Sequence, residues 1–128
     1  MLGELIGHHG QAESITWNTD GTRLASTGAE LIIWDSKAMT PLKAIGIYSG
    51  GLAIVDWRPD NDMLATASGI YSNNTIQLWD TNTGMELAVL RGHIGSVIDV
   101  DWSPDGTRLA SVSLDGTIRL WPLAWFLH

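Results

Sequence analysis

Leu90-Arg91-Gly92-His93, then Ser96-Val97-Ile98-Asp99-Val100-Asp101-Trp102-Ser103-Pro104-Asp105-Gly106, then Arg108-Leu109-Ala110-Ser111-Val112-Ser113-Leu114-Asp115-Gly116-Thr117-Ile118-Arg119-Leu120-Trp121 is the stretch that decides the fold. It reads as three strands separated by two turns. In the first run Ile98, Val100 and Trp102 share one face while Asp99 and Asp101 share the other, the period-two alternation of a half-buried strand. Ser103-Pro104-Asp105-Gly106 is a turn with a cause, because Pro104 fixes φ and Gly106 tolerates a positive φ. Leu114-Asp115-Gly116-Thr117 is a second tight turn, of the hairpin kind. No stretch of the chain carries a convincing period of 3.6 residues, so the chain reads as all-β.

The pattern recurs upstream. Trp17, Trp57 and Trp102 each precede a polar turn, 40 and 45 residues apart. Trp34, Trp79 and Trp121 each close the strand-like run that follows, 45 and 42 residues apart. A period of this size marks a repeat architecture of supersecondary units. Three copies are present.

The Gly-His start, the Ser-Pro-Asp-Gly turn, the Leu-Ala-Ser strand and the Asp-x-Thr-Ile-x-Leu-Trp close resemble the WD-repeat family of β-propellers. Trp34-Asp35 and Trp79-Asp80 supply the literal dipeptide in the first two copies. The resemblance covers nearly all 128 positions. It implies three four-stranded antiparallel blades forming an open arc, a partial propeller unless oligomerisation or further sequence completes it. The implied division is an outer strand of a preceding blade at 1–6, blade one at 12–45, blade two at 50–90 and blade three at 95–128. Glu86-Leu87-Ala88-Val89-Leu90 is the clearest outer strand, and Met1 to Ile6 aligns with it.

The resemblance also implies a hydrogen-bond network of His, Ser or Thr, Asp and the closing Trp. Carried over, repeat three has all four, as His93, Ser111, Asp115 and Trp121. Repeat one keeps His8, Ser26 and Trp34, but its second turn is two residues shorter and no Asp matches. Repeat two keeps Thr66 and Trp79, places Tyr48 where His belongs and lengthens the turn to Gly69-Ile70-Tyr71-Ser72-Asn73-Asn74. The full network is therefore expected in repeat three alone. His93, Ser111 and Asp115 also have the residue types of a hydrolase triad. The hydroxyl lies mid-strand between apolar neighbours, without a Gly-x-Ser-x-Gly elbow, so the structural role is expected and no catalytic residue is assigned.

Composition fits a binding module: 45% hydrophobic residues, 14 Gly and 16% charged residues suit short apolar strands joined by tight turns. The formal net charge of −7, with seven Lys and Arg and no basic run, argues against nucleic acid. Much of the acidic excess falls in turns, at Asp20, Asp35, Asp60, Asp62, Asp80 and Asp105, a distribution explained by solubility or by a basic partner. No apolar run reaches the length of a membrane span. Met1-Leu2-Gly3-Glu4 lacks the basic start of a secretion signal. With zero Cys there is no disulfide or thiolate chemistry, which fits a cytoplasmic chain.

Asp56, Asp99 and Asp101 would lie on inner strands facing a central channel, where a ring of carboxylates would hold a divalent cation. Thr16 interrupts the ring in unit one, and His8-His9 lacks a second ligand pair, so neither metal nor cofactor is expected. In the family, loops before the inner strand and between the second and third strands share a docking face. Here these hold Gln11, Glu13, Ile94, Ser96, Glu30 and Leu114, with Tyr71, Asn73 and Asn74 on the inserted loop. Tyr71 would serve as an aromatic anchor or pack over the blade edge.

The function implied is a non-catalytic scaffold for other proteins or peptides. The alternatives are a regulatory or sensor segment of a larger bacterial-type signalling protein and, further behind, a propeller enzyme with metal-binding channel carboxylates. Propellers use about four to eight blades, so three leave open a longer parent chain, a dimer or trimer, and an arc completed by a partner. The apolar tail Leu123 to Leu127 either supplies the last outer strand or stays exposed as a docking or aggregation site.

Overall fold

A computed structural model describes residues 2–47, 54–60, 63–67 and 74–125. Eleven strands form three antiparallel sheets among these residues. The first sheet runs in chain order: β1 (Ser14–Trp17), β2 (Arg23–Thr27), β3 (Glu30–Asp35) and β4 (Thr40–Ile47). The second repeats it with β5 (Ile54–Trp57), β6 (Met63–Ala67), β7 (Ile76–Asp80) and β8 (Glu86–Leu90). The third contains β9 (Val97–Trp102), β10 (Arg108–Ser113) and β11 (Ile118–Pro122).

The registers are equivalent from sheet to sheet: Trp17 faces Leu24, Trp57 faces Leu64 and Trp102 faces Leu109. Short meanders follow from the sequence, because each apolar run is ended by a turn with its own backbone requirement. Gly21 and Gly106 occupy equivalent turn positions with φ of 75° and 73°, a region where a side chain would clash with the backbone. The preceding Asp20 and Asp105 each accept a bond from the N–H two residues on, at 3.0 Å, the side-chain version of a turn.

Each sheet is apolar on both faces, so the sheets stack. Ala25, Leu31 and Ile33 of the first pack on Val55, Trp57, Leu64 and Trp79 of the second. Met63, Ala65, Ile76 and Leu78 on the opposite side of the second pack on Val100, Trp102, Leu109 and Trp121 of the third. Two sheet-to-sheet joints thus run through the described residues.

Three details differ from the sequence expectation. The third sheet has three strands among the described residues, and Leu123–Trp125 form a 3₁₀ helix in place of an outer strand. Pro122 supplies no N–H to a further ladder, and the next N–H, of Leu123, bonds to Thr107 O at 3.0 Å. Leu123 thereby turns into the core, where it is 9% exposed. Residues 2–7 form no strand either; Leu5 packs against Leu24, Ile32 and Trp34. Finally, the β9–β10 register shifts between Val112 and Ser113. This irregularity places Val97 inside and leaves Ile98 41% exposed, so strict alternation fails at the start of β9. No helix of the described residues is long and apolar enough to cross a membrane.

Candidate functional site

β10 carries Ser111 into the interior of the third sheet, beside Trp121 of β11. The indole Nε1–H donates to Ser111 Oγ at 2.8 Å, and Ser111 Oγ lies 2.7 Å from His93 Nε2. His93 Nδ1 lies 2.9 Å from Asp115 Oδ2. An ionised carboxylate only accepts, so Nδ1 carries the proton and Nε2 receives the Ser111 hydroxyl. The chain of donors runs from Trp121 through Ser111 and His93 to Asp115, and no polar atom along it is left over. Asp115 also takes the Ile94 N–H at 3.0 Å and the Thr117 hydroxyl at 2.5 Å. The Thr117 hydroxyl is the main influence holding the Asp115 carboxyl well below the usual range, against the opposing effect of burial and with help from His93.

Repeat one has the same network, contrary to the expectation that repeat three alone would. Trp34 Nε1 donates to Ser26 Oγ at 2.7 Å, and His8 Nε2 lies 2.6 Å from that oxygen. Glu30 Oε1 replaces the aspartate, 3.0 Å from His8 Nδ1 and 3.0 Å from the His9 N–H. Glu30 is therefore a buried network residue, 5% exposed, and not part of a docking loop. Burial acts to raise its pKa, but bonds from the His9 N–H and from His8 outweigh it and the net shift is downward. A spacing signal was available: His to Ser is 18 residues and His to acid 22 in both repeats. The missing two residues fall after the acid, and the longer Glu side chain fits the shorter hairpin.

Among the described residues, repeat two shows the hydroxyl end of the network. Trp79 Nε1 donates to Thr66 Oγ1 at 2.8 Å, and Thr66 donates onward to Gln77 Oε1 at 3.3 Å. Gln77 Nε2 then donates to Thr75 Oγ1 at 2.7 Å. A neutral amide on β7 thus stands in for the imidazole, a substitution that the repeat alignment did not reveal. Tyr48, Ile70, Tyr71, Ser72 and Asn73 lie outside the described residues. Asn74, with φ of 64°, leads into β7.

These networks are sealed. Ser111 is 2% exposed and its oxygen is shared between an imidazole and an indole, an arrangement that locks a hydroxyl in place. The exposed features lie just above the network. Ile94 and Leu114 are 86% and 65% exposed. Their two loops are fastened together, the Leu114 N–H to Ser96 O at 2.9 Å and the Ile94 N–H to Asp115. Gln11 and Glu13 are exposed on the corresponding loop of repeat one.

The acidic turn residues are mostly structural. Asp35 Oδ1 accepts the N–H groups of Lys37 and Ala38, and Asp80 Oδ1 those of Asn82 and Thr83. Backbone donors of this kind pull both carboxyls below their ordinary pKa, and in Asp105 the Thr107 N–H leads the fall to about 2. Asp62 lies outside the described residues. Among the described residues no group of three or more His, Asp or Glu is arranged to hold a metal ion.

Of the channel carboxylates, Asp56 has a definite task at the joint between sheets two and three. Its Oδ2 accepts the Trp102 N–H at 2.8 Å, and its backbone O accepts the Trp102 indole N–H at 3.2 Å. Arg58 lies 5.8 Å above the same ring, within cation–π range. Burial pushes the Asp56 carboxyl up to about 6; the Trp102 N–H opposes the shift and the charges of Asp101 and Asp99 add to it.

The family profile described as "WD domain, G-beta repeat" matches residues 45–80 and 84–122, more than half the chain. Protein HIR1 of Cryptococcus neoformans is 33% identical over 69 residues, 52% of this chain and 8% of that protein. The WD repeat-containing protein slp1 of Schizosaccharomyces pombe is 31% identical over 72 residues, 54% of this chain and 15% of its own length. This chain therefore matches only a small part of these relatives. A chain in the crystal structure of a mitotic checkpoint complex superimposes with a TM-score of 0.81 at 26% identity, over 94% of this chain and 38% of that one.

Proposed function

The chain belongs to the WD domain, G-beta repeat family, and from that premise we propose that it is a non-catalytic scaffold that binds a protein or peptide through the loops joining its strands. One observation carries the proposal: Ile94 and Leu114 are held bare on two loops fastened together by the Leu114 N–H to Ser96 O and the Ile94 N–H to the Asp115 carboxylate. A buried network of His93, Ser111, Asp115 and Trp121 stiffens the base beneath them. Rigid loops with exposed apolar side chains lose little conformational entropy on binding, and connecting loops are where binding residues concentrate. The structural neighbour is itself a chain of a multiprotein complex, which supports the class of partner. Tyr71 and Asn73 of the inserted loop, with Asn74, extend the proposed surface. The proposal takes the chain to act in the cytoplasm.

The test is to pan a displayed peptide library on the 128-residue chain and to repeat the binding with Ile94→Asp and Leu114→Asp. Selected peptides should lose at least tenfold in affinity for the double variant while its unfolding midpoint stays unchanged. Peptides that bind both proteins equally would place recognition elsewhere, and failure to select any peptide would remove the proposal's support.

A further inference from the structure

Two cations without a counter-charge accompany the bare side chains of Ile94 and Leu114. Arg91 is exposed on the loop from β8 to β9, three residues before Ile94. Arg119 of β11 is exposed as well. It pairs with Ser111 across the ladder, so it lies on the network side of the third sheet, the side that meets sheet two. Its guanidinium lies over Gly92: a Cβ at that glycine would come within 3.0 Å of Arg119 Nη1 and 3.2 Å of the Trp121 ring. Gly92 has φ of 155°, a conformation that other residues rarely adopt, and its missing side chain leaves the guanidinium room. Among the described residues neither arginine enters an ion pair or a side-chain hydrogen bond. By contrast Arg58 pairs with Asp60, and Lys43 donates to Asn82 O. Asp115, next to Leu114, is turned inward: its side chain is 3% exposed, and its carboxylate is occupied by His93, the Ile94 N–H and the Thr117 hydroxyl.

We propose that the partner docking on Ile94 and Leu114 is an acidic peptide, an extended segment in which an apolar side chain is followed two residues later by Asp or Glu. The apolar side chain packs against Ile94 and Leu114, and the carboxylate is held by Arg91 and Arg119. This deepens the loop-binding reading and rests on it. The spacing follows from the backbone. Ile94 lies two residues from Gly92, at most about 7 Å along the chain, and side chains i and i+2 of an extended peptide stand about 7 Å apart on one side. A guanidinium presents a planar fork that matches a carboxylate with two parallel hydrogen bonds. The chain carries a formal net charge of −7, but at physiological salt charges act over about 8 Å, so a bound carboxylate responds to the two arginines it touches. A nucleic acid shares the negative charge but offers no apolar side chain for Ile94 and Leu114, and its run of phosphates needs an extended basic surface.

The experiment pans three displayed libraries on the 128-residue chain, with the cores Leu-x-Glu, Leu-x-Gln and Leu-x-Lys in randomised flanks. Recovered peptides are then titrated by fluorescence anisotropy against wild type, Ile94→Asp, and the double variant Arg91→Gln, Arg119→Gln. The Leu-x-Glu library should be enriched over the other two. Its peptides should bind the double arginine variant about fivefold more weakly, as for two exposed ion pairs. That difference should vanish at 1 M salt, where charges act over only about 3 Å. Equal enrichment of the three libraries overturns the proposal, as does equal binding to wild type and the arginine variant. Either result leaves the loop-binding reading standing provided that Ile94→Asp still weakens binding, whereas recovery of no peptide from any library removes both. Displacement of the peptide by an equal concentration of single-stranded oligothymidylate would assign the patch to nucleic acid and overturn the proposal. Circular dichroism confirms folding of the variants. Should Arg119→Gln disturb the packing at Trp121, Arg91→Gln alone takes its place, with about a twofold loss expected and equal binding overturning the proposal.

Discussion

Glu30 Oε1 lies 3.0 Å from His8 Nδ1, although the two residues are 22 positions apart and meet across the top of the first sheet. The pair reproduces His93 and Asp115 with a different acid, on a hairpin that reaches its closing tryptophan two residues sooner. The extra methylene of glutamate is the compensation.

Glu30→Ala should destabilise the chain by about 1–3 kcal/mol, because it leaves the His8 Nδ1–H and the His9 N–H without their buried acceptor. Glu30→Asp should not restore the network, since its carboxylate stops about 1.5 Å short. Urea unfolding of the three proteins checks this; equal midpoints for Glu30→Asp and wild type would show that side-chain reach is irrelevant.

Ser111→Ala removes the oxygen that serves both Trp121 and His93, and should cost about 1–3 kcal/mol, the loss of a buried, shared hydrogen-bond partner. Thr66→Val removes the acceptor of the Trp79 Nε1–H and should cost a similar amount. Thermal unfolding with the indole emission as probe reports both.

The dependence on pH should have two limbs of opposite sign. Asp56 is raised from the ordinary 3.8 to about 6, so between these values the folded state keeps a proton that the unfolded state has released. Its contribution is therefore present below about pH 4 and is lost as pH rises through 6. Glu30 and Asp115 are lowered, so their contributions are present above the ordinary carboxylate range and are lost as pH falls below it. Asp56→Asn should remove the first limb and stabilise the chain near pH 7.5 by about 1 kcal/mol, a figure reduced for the partial solvent exposure of the carboxyl. Stability measured from pH 4 to 8 in wild type and variant distinguishes the limbs.

Trp102→Ala should cost about 3–5 kcal/mol, as for a large buried aromatic; it removes the indole N–H bonded to the Asp56 backbone O but keeps the backbone N–H that the Asp56 carboxylate accepts. Trp17→Ala, at the same position of its repeat but 58% exposed, should change stability by less than about 0.5 kcal/mol. Guanidinium unfolding of the two variants gives the comparison.

Met39 has φ of 59°, where the equivalent turn of the second sheet places Gly84 at 77°. Both N–H groups bond to the Asp four residues earlier, at 2.9 Å, so the backbone is the same and only the side chain differs. Met39→Gly should raise stability by up to about 1 kcal/mol, the left-handed strain relieved less the added freedom of the unfolded chain. A lowered melting midpoint would mean that the Met39 packing against Gly3 outweighs the strain.

The sequence by itself determined the all-β class, the repeat period and the partners of the third network, because these depend on local turn chemistry and on equal spacing along the chain. His93, Ser111, Asp115 and Trp121 could be named from their order alone. Glu30 was legible in principle, at the same 22-residue spacing from its histidine, but was hidden by looking for an aspartate. Only the tertiary structure decided the use of Gln77 in the second repeat, the burial of Leu123 and the bond from Trp102 to Asp56. Each of these turns on which face of a sheet meets a neighbour, and that contact lies between residues as far as 46 positions apart. A local pattern fixes the strand, but the desolvation that moves a pKa or seals a hydroxyl exists only once a second sheet covers the first.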